Sequence, residues 1–249
     1  MLKTNKIYNE DCLKGMSKMK DNSVDLIVTD PPYNFQVNGG GLYNQKKLMR
    51  DIKNIKTNEF DFNGYIPQLL DLQKGGVNAY FFCNKSLIPN YLKEAQERNL
   101  NFDILALRKK NPIPSKKSSY VPELEYVIFL RDEGVFFNGS LSLKYYKKIF
   151  SVVIGHSNLL HPNQKPKEFI KRFILISSKE GDIILDPFCG SGTTALACKE
   201  TNRNFICFDN NQHYVNIANE RLTQTNLTTI MQKTLHNNKR QDTNLAQKT

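Results

Sequence analysis

The chain predicts an α/β domain whose mostly parallel sheet is covered by helices on both faces. Three observations point there. Short apolar runs alternate with amphipathic stretches along the 249 residues. The runs are four to six residues long, which suits buried strands better than helices. Two of them end in Asp-Pro turns, at the carboxyl ends where such sheets place ligands.

The strands expected in order are Val24–Thr29, Asn78–Cys83, Glu125–Leu130, Asp182–Leu185 and Asn204–Phe208, with Phe102–Leu107 a fainter candidate. Helices are expected over Gly64–Leu72, Ser86–Asn99, Pro166–Ser178, Thr193–Thr201 and Gln212–Leu222. Pro166 suits a first helical turn, and Val215, Ala218 and Leu222 recur on one face of the last helix. A shorter helix over Leu13–Met19 would follow Asp11. A polar stretch with three consecutive glycines, Gln36–Asn63, reads as a mobile loop that orders over a bound partner. The Asn/Gln/Thr/Lys-rich end reads as a disordered basic tail. The domain is therefore placed at 1–226, with a recognition insertion at about 108–160 and the tail at 227–249.

Composition narrows the class. No apolar run approaches the roughly 18 residues a bilayer span needs, and Met1–Asp11 has no signal-peptide core. Five cysteines, none spaced C-x-x-C, argue against a disulfide framework or zinc site. Reduced, buried thiols and a cytoplasmic setting are expected. The net charge of +11 favours a polyanionic partner. Residues 228–249 hold four basic residues against one acidic, so most of the excess lies in the body.

Asp30-Pro31-Pro32-Tyr33 follows the first predicted strand. Two prolines stiffen the turn and remove two N–H donors. Carbonyl oxygens and the Asp30 carboxylate remain as acceptors beside an aromatic face, which suits a planar group carrying an NH2. Asp186-Pro187-Phe188-Cys189-Gly190-Ser191-Gly192-Thr193-Thr194 follows the strand DIIL. Its glycines permit a tight turn and close approach of a ligand, and the helix behind it presents N–H groups. Asp209 ends the next strand 17 positions after Gly192, where a ribose diol would lie. A nucleoside-containing cofactor is indicated, and no P-loop is present.

These residues resemble the amino-methyltransferases of DNA, in the subgroup whose catalytic motif precedes the cofactor motif. The likeness spans most of residues 4–222. Tyr8–Cys12 resembles the family's opening segment, SVDLIVTDPPYN its catalytic motif, and ILDPFCGSGTT its cofactor motif. Arg108–Pro114 is similar to W-x-K-x-N-P with Leu107 in place of the aromatic, and His161–Pro166 to H-P-T-Q-K-P with Asn163 for Thr. Phe208–Leu222 resembles the closing segment, with Asp209 where Glu is usual.

The resemblance implies a methyltransferase (Rossmann-like) fold, S-adenosylmethionine as cofactor, double-stranded DNA as substrate and extrusion of the target base. Asp30 and the Pro31 carbonyl would each accept one N6–H of adenine while Tyr33 stacks on the ring. Cytosine-N4 members usually carry Ser at the Asp30 position, so adenine is favoured. The cofactor would be held by Asp11, Cys12, Asp186, Phe188, Gly190, Gly192, Thr193, Asp209 and Lys165. DNA would meet Asn34, Lys109, Lys110, Asn111, Lys116 and Lys117. A homodimer and a cognate restriction endonuclease are the protein partners such an enzyme would have.

Plainer roles compete for several of these. Asp11 and Asp209 could be helix caps, as could an Asn near Asp209. Phe188 could belong to the core. Lys165 could touch the cofactor, a phosphate or only water, His161 reads as structural, and the basic loop could be merely solvated. Rival activities are cytosine-N4 methylation, RNA methylation and DNA binding without catalysis.

Overall fold

The computed structural model describes residues 2–32, 62–112, 120–153 and 165–225. Eight strands form one sheet: β1 Lys6–Asn9, β2 Leu26–Thr29, β3 Asn78–Cys83, β4 Asn101–Lys109, β5 Leu124–Arg131, β6 Ile149–Val152, β7 Ile183–Asp186 and β8 Asn204–Asp209. Their spatial order is β1-β8-β7-β2-β3-β5-β4-β6. Every pairing is parallel except those of β5, which runs against both β3 and β4. The helices are α1 Cys12–Met16, α2 Phe62–Asp71, α3 Ile88–Glu97, α4 Lys167–Ser177, α5 Thr193–Glu200 and α6 over 212–225.

The apolar runs are continuous because both sheet faces are covered. On one face Leu26, Val28, Tyr80, Phe82 and Ile184 pack against Phe169 and Phe173 of α4, Ala195 of α5 and Ala218 of α6. On the other, Ile27, Ala79, Phe81, Leu185 and Phe208 meet Met16 of α1, Tyr65 and Leu69 of α2 and Tyr91 of α3. Tyr80 stacks between Phe129 and Phe173, with ring centroids 4.1 and 4.2 Å apart, fixing α4 on the centre of the sheet. All five cysteines are free and buried, as expected of reduced core thiols.

The alternation expected from the sequence is present, and β3 has the predicted ends. Two strands were not foreseen. β1 and β6 are four-residue edge strands, with only Ile7 of the eight residues fully buried. A strand paired on one side needs no long apolar run. The faint Phe102–Leu107 candidate is a nine-residue strand between β5 and β6. α1 stops at Met16 rather than Met19. Pro166 stands just ahead of α4 at its N-cap, with φ −59°.

Within 108–160 the described residues supply β5 and β6 to the sheet. A 3-10 turn at Leu143–Tyr146 is clamped to α4 by Arg172, which donates to the carbonyls of Tyr145 and Lys147. Among the described residues no helix is long and apolar enough to cross a membrane. Residues 36–61 of the expected loop, and 226–249, lie outside the described residues.

Candidate active site

The sheet order brings four acidic residues to one edge. Asp30 follows β2, Asp186 ends β7, Asp209 ends β8 and Asp11 follows β1, and these strands are consecutive neighbours. Leu26 and Ile27 pair with Ile184 and Leu185, so the two Asp-Pro turns leave the sheet side by side. With neighbouring strands about 4.8 Å apart, the edge from β2 to β8 spans on the order of 10 Å.

The turn after β7 is closed by its own hydrogen bonds. Asp186 accepts from the Phe188 N–H at 3.1 Å and from Thr194 Oγ1 at 2.5 Å. It is buried, and burial pushes its carboxyl up to about 7. The hydrogen bonds from Thr194 and the Phe188 N–H pull it back, while the nearby Asp30 charge adds to the rise. Asp209 accepts from the Gly190 N–H at 2.9 Å and the Asn211 N–H at 2.8 Å. Burial raises it too, against those two hydrogen bonds. Gly192 caps α5 with φ +78°, and a Cβ there would stand 2.7 Å from the Cβ of Ala218. The close approach this glycine permits is therefore to α6. Arg221 of α6 donates to the Ser191 carbonyl and, at 3.0 Å, to its hydroxyl, tying turn to helix.

The turn after β2 stands in a different setting. Asp30 is half-buried, and its Oδ2 accepts from Lys165 Nζ at 2.6 Å. Lys165 is only 8% exposed. Its ammonium is also 3.6 Å from Glu125 Oε2 and 5.1 Å from the centre of the Phe82 ring. The other oxygen of Glu125 meets Lys109 Nζ at 2.5 Å. Burial works against the Glu125 charge, but Lys165 and Lys109 together hold its carboxyl below the ordinary value. Cys83, ending β3, has its thiol pushed up to about 12, first by burial and then by the Asp30 charge. It stays a neutral thiol.

Several expected residues take the plainer roles as well. Asp11 caps α1, accepting from the Lys14 N–H at 3.2 Å. Cys12 begins that helix, buried, its thiol raised to about 12 by burial and by Asp11. Asn211 caps α6 through the His213 N–H at 3.0 Å, leaving Asp209 as the support of the glycine turn. Phe188 packs on Tyr65, with centroids 5.4 Å apart. Thr193, the first residue of α5, is buried, as are Gly190 and Pro31, while Pro32 is half-buried. Lys110 and Asn111 are exposed, but Lys109 turns inward to Glu125. Lys165 is buried rather than solvated, and it pairs with Asp30. Tyr33, Asn34, Lys116, Lys117 and His161 lie outside the described residues. Glu125 and Arg221 were not foreseen. Glu125 had one signal, a carboxylate heading the buried run EYVIFL.

Comparisons with known proteins show the family to which the chain belongs. A family model described as DNA methylase matches residues 24–220. The Type II methyltransferase M2.DpnII of Streptococcus pneumoniae is 32% identical over 246 residues, covering 89% of this chain and 91% of its own. The Type II methyltransferase M.HpaI of Haemophilus parainfluenzae is 29% identical over 234 residues, 85% of this chain and 72% of its own. The crystal structure of the M1.HpyAVI-SAM complex superposes with a TM-score of 0.66 at 26% identity, covering 87% of this chain and 98% of that one. The fold is that of the S-adenosylmethionine-dependent DNA methyltransferases, and the chain belongs to the DNA methylase family.

Proposed function

We propose that this protein transfers a methyl group from S-adenosylmethionine to the N6 amine of adenine in a specific site of double-stranded DNA. The observation that carries the reading is the adjacency of the two turns. An acceptor-rich Asp-Pro-Pro turn stands beside a glycine turn backed by the buried Asp186 carboxyl and the half-buried Asp209 carboxyl.

The residues present fit the cofactor. The oxygens of Asp209 each accept one backbone N–H, and each keeps a lone pair for a ribose hydroxyl. Asp186 and Asp11 offer further acceptors along the same edge. When bound, S-adenosylmethionine supplies an electrophilic methyl group on a sulfonium. Asp209, Asp186, Asp11 and the backbone at Phe188–Thr193 would hold it, with Cys12 beside Asp11. The similar M1.HpyAVI has been crystallised as a SAM complex, which supports the same cofactor here.

The chain's own groups handle the amine. Asp30 and the Pro31 carbonyl each accept one N–H of the extruded base, and Tyr33 stacks on its ring. Both acceptors turn the nitrogen lone pair out of ring conjugation, towards the methyl carbon. Positioning and electrostatics supply the acceleration without a covalent enzyme intermediate. Once methylated, the nitrogen sheds one proton to solvent, and the Asp30 carboxylate that accepts its N–H offsets the positive charge until then. Asp, rather than Ser, at position 30 favours adenine over cytosine.

Lys110, Asn111, Lys116 and Lys117 would meet the DNA backbone, with Asn34 also contacting DNA. Lys109 is reassigned to the Glu125 pair. Similarity to Type II methyltransferases supports a role in restriction-modification; we further propose a cognate endonuclease as biological partner, a homodimer as assembly and the cytoplasm as setting.

The test is methyl transfer from labelled cofactor to unmethylated genomic DNA, followed by nucleoside analysis, with Asp30→Ala alongside. The label should appear in N6-methyladenine and fall by about 10³-fold in the variant, the scale for losing a transition-state acceptor. Label in N4-methylcytosine would overturn the base assignment. Full activity of Asp30→Ala would overturn the site.

A further inference from the structure

We propose that Lys165 is the positioning residue of the transfer step: it holds the Asp30 carboxylate anionic and oriented, and Glu125 offers it a second seat as positive charge develops on the target amine. This rests on the reading of Asp30 given above.

The four charges form an alternating chain, Asp30–Lys165–Glu125–Lys109. They come from four different places: the turn after β2, the residue ahead of Pro166 and α4, β5 and β4. A buried ammonium must be paired, and this one meets a carboxylate on either side. The two contacts are unequal. At 2.6 Å the Asp30 pair has the length of a charge-assisted hydrogen bond, whereas at 3.6 Å the Glu125 pair does not. At rest the ammonium therefore belongs to Asp30, with an anion in reserve about one ångström too far. The Phe82 ring beneath it restricts where else it can go.

Structural stabilisation alone accounts poorly for the arrangement, because buried ion pairs of this kind are seldom better than apolar packing. The reaction accounts for it directly. Before transfer, an anionic Asp30 is the better acceptor for the amine. During transfer, the amine becomes cationic, and an ammonium fixed on the same carboxylate would oppose it. Moving Lys165 toward Glu125 removes that opposition without exposing a charge. Lys109 keeps Glu125 ionised and in place meanwhile.

Among the described residues, charged and titratable groups near Asp30 include Lys165, Glu125 of β5, Asp186 of β7 and Cys83 of β3, with Lys109 of β4 behind Glu125. Cys83 is a neutral thiol, and Asp186 is protonated through much of the range below neutrality. The acid limb of the rate should therefore respond chiefly to the two members nearest Asp30.

The experiment is the pH dependence of kcat for the full chain and its Lys165→Met, Lys165→Arg, Glu125→Gln and Asp30→Asn variants. Cofactor affinity and DNA KM are measured for each. Lys165→Met should lower kcat by roughly 10²-fold. It should also raise the acid-limb pKa by about 1–3 units, because an adjacent cation depresses a carboxyl by that much. Cofactor affinity and DNA KM should stay within about threefold. Lys165→Arg should return the limb most of the way. Glu125→Gln should move the limb the opposite way, downward, since Lys165 then serves Asp30 alone. If Lys165→Met does not fold, the opposed shift in Glu125→Gln and the position in Lys165→Arg still decide the matter. An unmoved limb in these variants would overturn the proposal. So would a loss in Lys165→Met that resides wholly in cofactor affinity, which would return Lys165 to the cofactor end. Full activity in Asp30→Asn would instead remove the underlying reading of Asp30.

Discussion

The two halves of the carboxyl edge are built from different physics. Around β7 and β8 the carboxyls of Asp186 and Asp209 are satisfied by neutral donors, the backbone N–H groups of Phe188, Gly190 and Asn211 and the Thr194 hydroxyl. Around β2, β5 and β4 the carboxylates of Asp30 and Glu125 are satisfied by ammonium groups. The first half is made by residues near one another in sequence. The second joins residues 135 positions apart. A site that holds a preformed turn can be local; one that must rebalance charge during a reaction draws its partners from across the fold.

Because Asp186 is buried in the β7 half with no cation beside it among the described residues, burial outweighs its hydrogen bonds and its carboxyl should prefer the protonated form. Asp186 has its folded pKa raised to about 7, well above the value near 3.9 of an unfolded aspartate. The stability this group contributes is therefore complete below about pH 4 and is lost as pH rises through 7. Asp186→Asn keeps the shape without the titration. Its stability relative to the natural protein should improve between pH 4.5 and 8 by a few kcal/mol, up to about 4. Paired chemical denaturation at the two pH values measures the difference. A constant difference would mean that Asp186 is ionised in the fold and that the two halves share the same electrostatics.

The glycine turn probes the same half through sterics. In Gly192→Ala a Cβ must occupy a left-handed backbone position 2.7 Å from the Ala218 Cβ and 3.2 Å from its Cα. The αL conformation costs roughly 1–2 kcal/mol and overpacking 1–3. A destabilisation of about 3 kcal/mol is expected, read as a fall in Tm of about 6–12 °C for a domain of this size. Cofactor affinity should fall with it, because the turn cannot keep its path. A variant with unchanged Tm would show that α6 yields easily and that this half is not rigid.

How much of this was legible in the sequence follows the same division. The turn Asp186–Thr194 could be read because glycines at 190 and 192, an Asp before a Pro and an acidic residue ending the next strand are all short-range signals. Asp30–Tyr33 could be read for the same reason. What Gly192 is for could not be, since its partner Ala218 declares nothing by type. Nor could Lys165: a lysine beside a proline has the same local signature whether it faces water or Asp30. Burial is a property of the assembled sheet, and the order β7-β2-β3-β5 that gathers residues 30, 82, 125 and 165 is not written in any one segment. The edge strands β1 and β6 escaped because pairing on one side leaves most of their side chains half-exposed.

The smallest effect separates capping from ligand support within the β7–β8 half. Asn211 caps α6 through the His213 N–H, while Asp209, two residues earlier, bonds the Gly190 and Asn211 N–H groups. Asn211→Ala removes the cap and leaves both Asp209 bonds, because the second comes from the Asn211 backbone. It should cost about 1 kcal/mol, a fall of about 2–4 °C in Tm, with cofactor affinity within about twofold by calorimetric titration. Asp209→Ala should reverse the pattern: both N–H partners are left unpaired at the glycine turn, and cofactor affinity falls by at least tenfold. Were Asn211→Ala to weaken cofactor binding as strongly as Asp209→Ala, cap and cofactor support would be one function. The turn's neutral hydrogen bonds would then depend on α6 as a whole rather than on a single carboxyl.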